Sequence, residues 1–258
     1  NLKTWYRRNK QNLTPKNRRG ITTLLNSMMQ FASVNRATTA AVTDTNLKAY
    51  WKFNEGSTDV INQSQGAADL GAAADLQVTG ATFSQAGPPF TNVLFDGVDD
   101  FAKAGTSVAQ WNYQHSTTAT FSVIFWMKVG TIATSKMLQD VGPYGETSAG
   151  FFILQAATGA LRVEIQNNAG SNIVTLTTTN NYLPDATTWY YYAITYDQGA
   201  GSNNLSVRRN DANLEQATKT ANTPTNGDST RALFIGRAAA TSTNFLHHYR
   251  AEQSMWSA

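Results

Sequence analysis

The chain has 258 residues, no cysteine, 41% apolar and 14% charged residues, and a formal net charge of +3. These figures exclude a disulfide scaffold and a thiolate metal centre, and the length suits one sizeable β-domain. No run of about 18 apolar residues is present, as a membrane-crossing helix would need.

Charge divides the chain in two. Residues 1–46 hold eight Lys or Arg against the single acid Asp44, a net of +7, while the other 212 residues carry a net of −4. This implies a basic arm (1–46) on a mildly acidic body (47–258). Residues 1–16 are polar around Trp5 and Tyr6, with too few apolar side chains to fold alone. Thr14 and Pro15 then supply an N-cap and a first-turn proline, and Ile21, Leu24, Leu25, Met28 and Met29 recur at helical spacing on one face. The spacing predicts one amphipathic helix of about four turns between Pro15 and Val34. Such a stripe is unstable alone in water, so these residues are expected to be an assembly element that meets a second copy, a larger particle or the body itself. The Thr- and Ala-rich stretch over 37–46 reads as a linker and favours an intermolecular partner. Basic residues interleaved with aromatic rings also suit nucleic-acid contact, the less favoured use of the arm.

From Leu47 the pattern changes to short alternating strands with turn residues between them. Residues 47–53 (Leu-Lys-Ala-Tyr-Trp-Lys-Phe) end in Asn-Glu-Gly-Ser, and residues 93–101 place Asp96-Gly97 between Phe95 and Phe101 as a tight turn. In residues 120–129, Phe121, Val123, Phe125 and Met127 share one face, and Ser122, Ile124, Trp126 and Lys128 the other. Their expected neighbour is the run 189–197, Trp-Tyr-Tyr-Tyr-Ala-Ile-Thr-Tyr-Asp, in a sheet covered on both faces that buries Trp126 between the layers. A hairpin is predicted over 150–155 and 160–166, a further strand over 173–178, another over 204–209 with a polar turn at 210–213, and one at 232–237 (Ala-Leu-Phe-Ile-Gly-Arg).

Five of these stretches, at 47–57, 93–101, 121–128, 189–213 and 232–237, resemble in order and spacing the laminin G-like, concanavalin A-like jelly-roll domains. The resemblance covers residues 47 to about 256 and departs from the family near its end, where 245–256 keeps only part of the closing pattern. It implies an all-β, two-sheet antiparallel jelly-roll sandwich with residues 252–256 beside 47–53. It also implies a calcium site at a sheet rim, for which Asp99, Asp100 and Asp140 are the candidates. Finishing a turn is the favoured role of Asp99 and Asp100, since no self-sufficient calcium loop is present.

Function follows by weighing site types. A glycoside hydrolase needs two carboxylates flanking the scissile bond, and no Glu-x-Asp-x-Glu arrangement occurs, so the chain reads as a non-enzyme. His247 and His248 are adjacent in a strand, point to opposite faces and read as surface residues rather than a metal pair. Sugar binding calls for exposed aromatic faces, and Trp111, Tyr113, Tyr144 and Tyr182 in loop positions are the candidates, with loop anchoring as their alternative role. The expected protein is a non-catalytic recognition or adhesion module for a glycan or surface protein. It would be extracellular, on a cell surface or virion, oligomeric and anchored by its arm. A decoration or fibre subunit of a phage-like particle is the alternative, and a glycoside hydrolase the third.

Overall fold

The computed structural model describes residues 44–55, 59–64, 69–85, 92–104, 109–132, 136–156, 159–179, 181–210, 213–240 and 244–257. These belong to one compact unit, Thr43–Ala258. The arm helix and its stripe of Ile21, Leu24, Leu25, Met28 and Met29 lie outside the described residues.

Among the described residues, sixteen strands form two antiparallel sheets of eight. In the first sheet β7 (Thr120–Val129) lies between β12 (Tyr190–Asp197) and β16 (His247–Ser257). Beyond β12 come β13 (Leu205–Arg209) and β14 (Asn213–Ala217). On the other side β16 carries β1 (Leu47–Trp51) and β5 (Asn92–Asp96), and β5 carries β4 (Thr82–Gln85). The second sheet begins with β11 (Asn172–Thr177), β10 (Leu161–Gln166), β9 (Gly150–Gln155) and β8 (Lys136–Asp140). It continues through β15 (Leu233–Ile235), β6 (Phe101–Ala104), β3 (Leu76–Thr79) and β2 (Asp59–Val60). The result is the predicted two-sheet jelly-roll sandwich.

The core follows from the period of two. Along β7 every second residue, from Phe121 to Val129, is buried, and the residues between them are half-exposed. Tyr192, Ile194 and Tyr196 of β12 continue this inner face, and Phe151, Ile153, Val163 and Ile165 meet it from the second sheet. Phe121 packs edge-on against Phe151 with centroids 5.1 Å apart. Each such side chain contributes about 1.5–3 kcal/mol by leaving water. The expectation of a sheet covered on both faces needs correction: Trp126 stands on the outer, half-exposed face and not between the layers.

Strand β16 ties the sheet together and explains how 252–256 comes to lie beside 47–51. Its first part pairs with β5, its last part with β1, and β7 runs along its other edge. A bulge at Glu252, whose φ is +32°, shifts the register between Ala251 and Gln253. Strict alternation would send Met255 outward, because it lies five residues beyond the inward Arg250. The extra residue restores Gln253 and Met255 to the core.

Two glycines are required by the backbone. Gly97 has φ +82° in the turn after β5, as the Asp-Gly pair predicts. Gly236 has φ +91°, and a Cβ there would lie 3.2 Å from both Asp100 O and Phe95 Cδ1, which accounts for glycine after Ile235.

Candidate functional site

The outer face of the first sheet carries a cluster of half-buried aromatic rings. Trp126 on β7 is paired in register with Tyr191 on β12, and their rings lie 5.6 Å apart at 58°. On the other side of β7, Lys128 is paired with Tyr249 of β16, and its Nζ sits 3.9 Å from the Tyr249 ring centroid. Trp189, just before β12, meets Tyr249 edge-on at 6.3 Å, and His247 lies 6.3 Å from the same ring. Thr131 Oγ1 lies 3.1 Å from His247 Nδ1.

The local reason for this cluster is the antiparallel register. Residues directly opposite have neighbouring side chains, so the outward Trp126 and Lys128 bring Tyr191 and Tyr249 to flank them. Ala251, opposite Trp126, and Ala193, opposite Ile124, leave low ground beside the rings. Rigid rings above small residues present apolar faces to which the C–H face of a sugar can stack, while the ammonium and imidazole supply polar contacts.

Next to this cluster the bulge assembles a polar group. Tyr50 on β1 donates its hydroxyl to Glu252 Oε1 at 3.1 Å, and Gln63 Nε2 donates to Glu55 Oε1 at 3.3 Å. Burial pushes the Glu55 carboxyl above its ordinary range. Burial, followed by the Glu252 and Glu55 charges, raises the Tyr50 hydroxyl. Two carboxylates thus act on one tyrosine, a grouping hidden in the sequence because Glu55 and Glu252 are far apart in the chain. Only 2% of Tyr50 and 4% of Glu252 is exposed, so a sugar has little access to this pair.

The residues singled out in the sequence are placed differently from the aromatic face. Trp111 and Tyr113 share the 3-10 turn Ala109–Gln114, which packs against β7 and β9. Trp111 is fully buried, and Tyr113 is edge-on to Phe121 at 6.4 Å beneath Lys48 Nζ. Tyr182 is buried and donates its hydroxyl to Val207 O at 2.8 Å, while burial pushes that hydroxyl up to about 12. Tyr144 is half-buried, edge-on to Phe152 at 5.4 Å on the outside of the second sheet. Trp111 and Tyr182 therefore offer no ring face to a ligand.

Asp99 and Asp100 lie together with Asp96, with one donor atom of each within 4.8 Å of the others. Asp140 is elsewhere. It is buried on β8, accepts Ala239 N at 2.7 Å, and is pushed up to about 7 by burial. In the trio, Asp100 Oδ2 accepts Asp96 N and Asp96 Oδ1 accepts Val98 N, each at 2.8 Å. The oxygen set suits a hard cation such as calcium, but half of the Asp96 and Asp100 carboxylate is already used to close the turn.

The histidines also need correction. His247 faces outward and His248 inward as adjacent strand residues should, but His248 is buried rather than on the surface. His248 stacks on Phe95 at 4.7 Å, and burial, then the Arg250 charge, holds it down at about 3. Arg250 is fully buried over the Phe125 ring at 3.8 Å. Its Nε and Nη2 donate to Gln253 Oε1 at 3.1 and 2.6 Å, and Gln253 Nε2 donates to Gln139 Oε1 at 2.9 Å. Burial lowers Arg250 to about 9.

Comparison with known proteins places this geometry. The sequence model of the concanavalin A-like lectin/glucanases superfamily matches residues 103–247, more than half of the chain. The binding domain of botulinum neurotoxin serotype D is structurally similar, with TM-score 0.56 and 12% identity over 83% of this chain and 48% of that one. Domain 4 of AbnA, a GH43 extracellular arabinanase from Geobacillus stearothermophilus in complex with arabinotriose, gives TM-score 0.56 and 13% identity, covering 82% and 92% of the two chains. Trypanosoma rangeli sialidase in complex with the inhibitor DANA gives 0.50 and 14%, covering 81% and 30%. At these identities the likeness is one of fold. The chain spans about half the length of the toxin binding domain it matches. None of the curated proteins matches it by sequence.

Proposed function

Because the chain belongs to the concanavalin A-like lectin/glucanases superfamily, we propose that it is a non-catalytic recognition module that binds a glycan on the outer face of its first sheet. The observation that carries this reading is the cluster of Trp126, Trp189, Tyr191 and Tyr249, rings aligned by strand register and left half-exposed. An all-β sandwich has no structural need for two tryptophans on its water-facing side, whereas sugar recognition uses such rings. The complex of arabinanase domain 4 with arabinotriose supports the same ligand class on the same fold.

The non-catalytic reading is supported by the state of the carboxylates. Glycosidic hydrolysis needs an acid and a second carboxylate reaching opposite sides of one bond. Glu252 is instead closed under Tyr50 and nearly inaccessible. Display on a cell surface or virion, with attachment through the arm, is supported by the net of +7 in residues 1–46 and by the apolar stripe from Ile21 to Met29. A decoration subunit is the second reading, favoured by the same aromatic face if a protein surface covers it.

A glycan array followed by calorimetry on the full chain tests the proposal. Binding that falls at least about tenfold in Trp126→Ala and in Trp189→Ala, with the melting temperature lowered by no more than about 2–4 °C, supports it. Binding indifferent to both substitutions removes the site. Sugar turnover abolished by Glu252→Gln would replace recognition with hydrolysis.

A further inference from the structure

Resting on the reading of the outer face as a glycan site, we propose that its ligand is an acidic sugar, a uronic or nonulosonic acid, whose carboxylate pairs with Lys128. Lys128 stands within the aromatic cluster, on β7 between β12 and β16, with Nζ 3.9 Å from the centre of the Tyr249 ring. Among the described residues, ion pairs join Arg162 to Glu164 and Arg231 to Glu146, and neither involves Lys128.

The carboxylates of the same sheet are engaged elsewhere. Asp96 Oδ1 accepts Val98 N, Glu252 Oε1 accepts the Tyr50 hydroxyl, Asp197 Oδ1 accepts Gly199 N at 2.8 Å, and Glu215 of β14 accepts the amide and hydroxyl of Thr179. Among the described residues the ammonium is thus held by a ring face and given no counter-charge. A neutral sugar stacked on Trp126 or Trp189 would strip water from that ammonium and give no charge in return. A ring that carries a carboxylate restores the lost interaction as a charge-assisted hydrogen bond, while its C–H face keeps the stacking. The face is therefore selective by charge as well as by shape. The Tyr249 ring, pinned by Trp189 and His247, fixes where the charge must lie.

The test compares acidic and neutral probes of the same size on the full chain: trigalacturonic acid against galactotriose, and 3′-sialyllactose against lactose. At least one acidic probe is expected to bind about tenfold tighter than its neutral counterpart. Lys128→Met is expected to abolish that preference by weakening acidic binding, Lys128→Arg to keep it, and added salt to weaken acidic binding alone. Equal affinity for acidic and neutral probes, or a preference that survives in Lys128→Met, overturns the assignment of Lys128 and leaves the glycan reading standing. Failure of all four probes and of a wider glycan array removes both.

Discussion

His248 and Asp140 are buried titrating groups with opposite effects on stability, and His248→Phe separates them. The folded state holds His248 at about 3 against an ordinary value of 6.5. Between these values the unfolded chain binds a proton that the folded one refuses. This stability is complete above pH 6.5 and is lost as pH falls, at about 1.4 kcal/mol per unit. Asp140 behaves in reverse, since burial raises it from 3.8 to about 7 and the folded state takes up its proton first. Its contribution grows as pH falls through 7 toward 3.8. Between pH 7.5 and pH 4 the first effect removes about 3 kcal/mol and the second adds about 4 kcal/mol, so in the wild type they nearly cancel. Phenylalanine keeps a ring against Phe95 and removes the titration, while the lost contact with Leu246 O gives an offset of one sign at every pH. Urea unfolding at pH 4, 5, 6 and 7.5 then reads the difference between variant and wild type. That difference is expected to move in the variant's favour by about 3 kcal/mol on acidification. A difference independent of pH would refute the account of His248 as a histidine held neutral by burial.

Other substitutions probe the same structure. Phe125→Ala, in the core, is expected to cost about 3–5 kcal/mol in denaturant melts, whereas its outward neighbour Trp126→Ala costs about 1 kcal/mol. Equal losses would place both rings inside. Arg250→Met removes a charge whose burial costs about 5 kcal/mol but leaves Gln253 Oε1 without its donor, a loss of about 1–3 kcal/mol. Net stabilisation by about 2 kcal/mol is expected at pH 7, and a comparable destabilisation would reveal a counter-charge. Gly236→Ala forces a side chain into a φ of +91° against Asp100 O, and should lower stability by about 1–3 kcal/mol in the same melts.

The fold was legible in the sequence because period-two alternation is local. The faces of β7, its pairing with β12 and the hairpin of β9 with β10 all follow from runs that can be read one segment at a time. The polar turn expected at 210–213 proved to lead into β14, whose residues 213–217 are too polar to stand out from a turn. The candidate site was less legible. Trp126 and Lys128 were correctly placed on one face of their strand, but the sequence did not say whether another layer covers that face. Tyr249 meets Lys128 only because β16 pairs along the edge of β7, a long-range pairing whose register shifts farther along the strand at a bulge on a glutamate with positive φ. Trp111 and Tyr182 looked available because they lie outside strands, yet a loop residue that plugs the end of a sandwich is as buried as one inside it. The signal that would have found the site is the outward set of β7 read against the outward residue of its partner, Tyr191.

The most direct test uses the tryptophan indole resonances, since the chain holds six of them: Trp5, Trp51, Trp111, Trp126, Trp189 and Trp256. Titrating the 15N-labelled full chain with the glycan selected by the array should shift the indole signals of Trp126 and Trp189 and leave those of the buried Trp51 and Trp111 in place. Shifts confined to Trp111 or Trp256, with Trp126 and Trp189 unmoved, would contradict the outer face of the first sheet as the place where this protein binds its ligand.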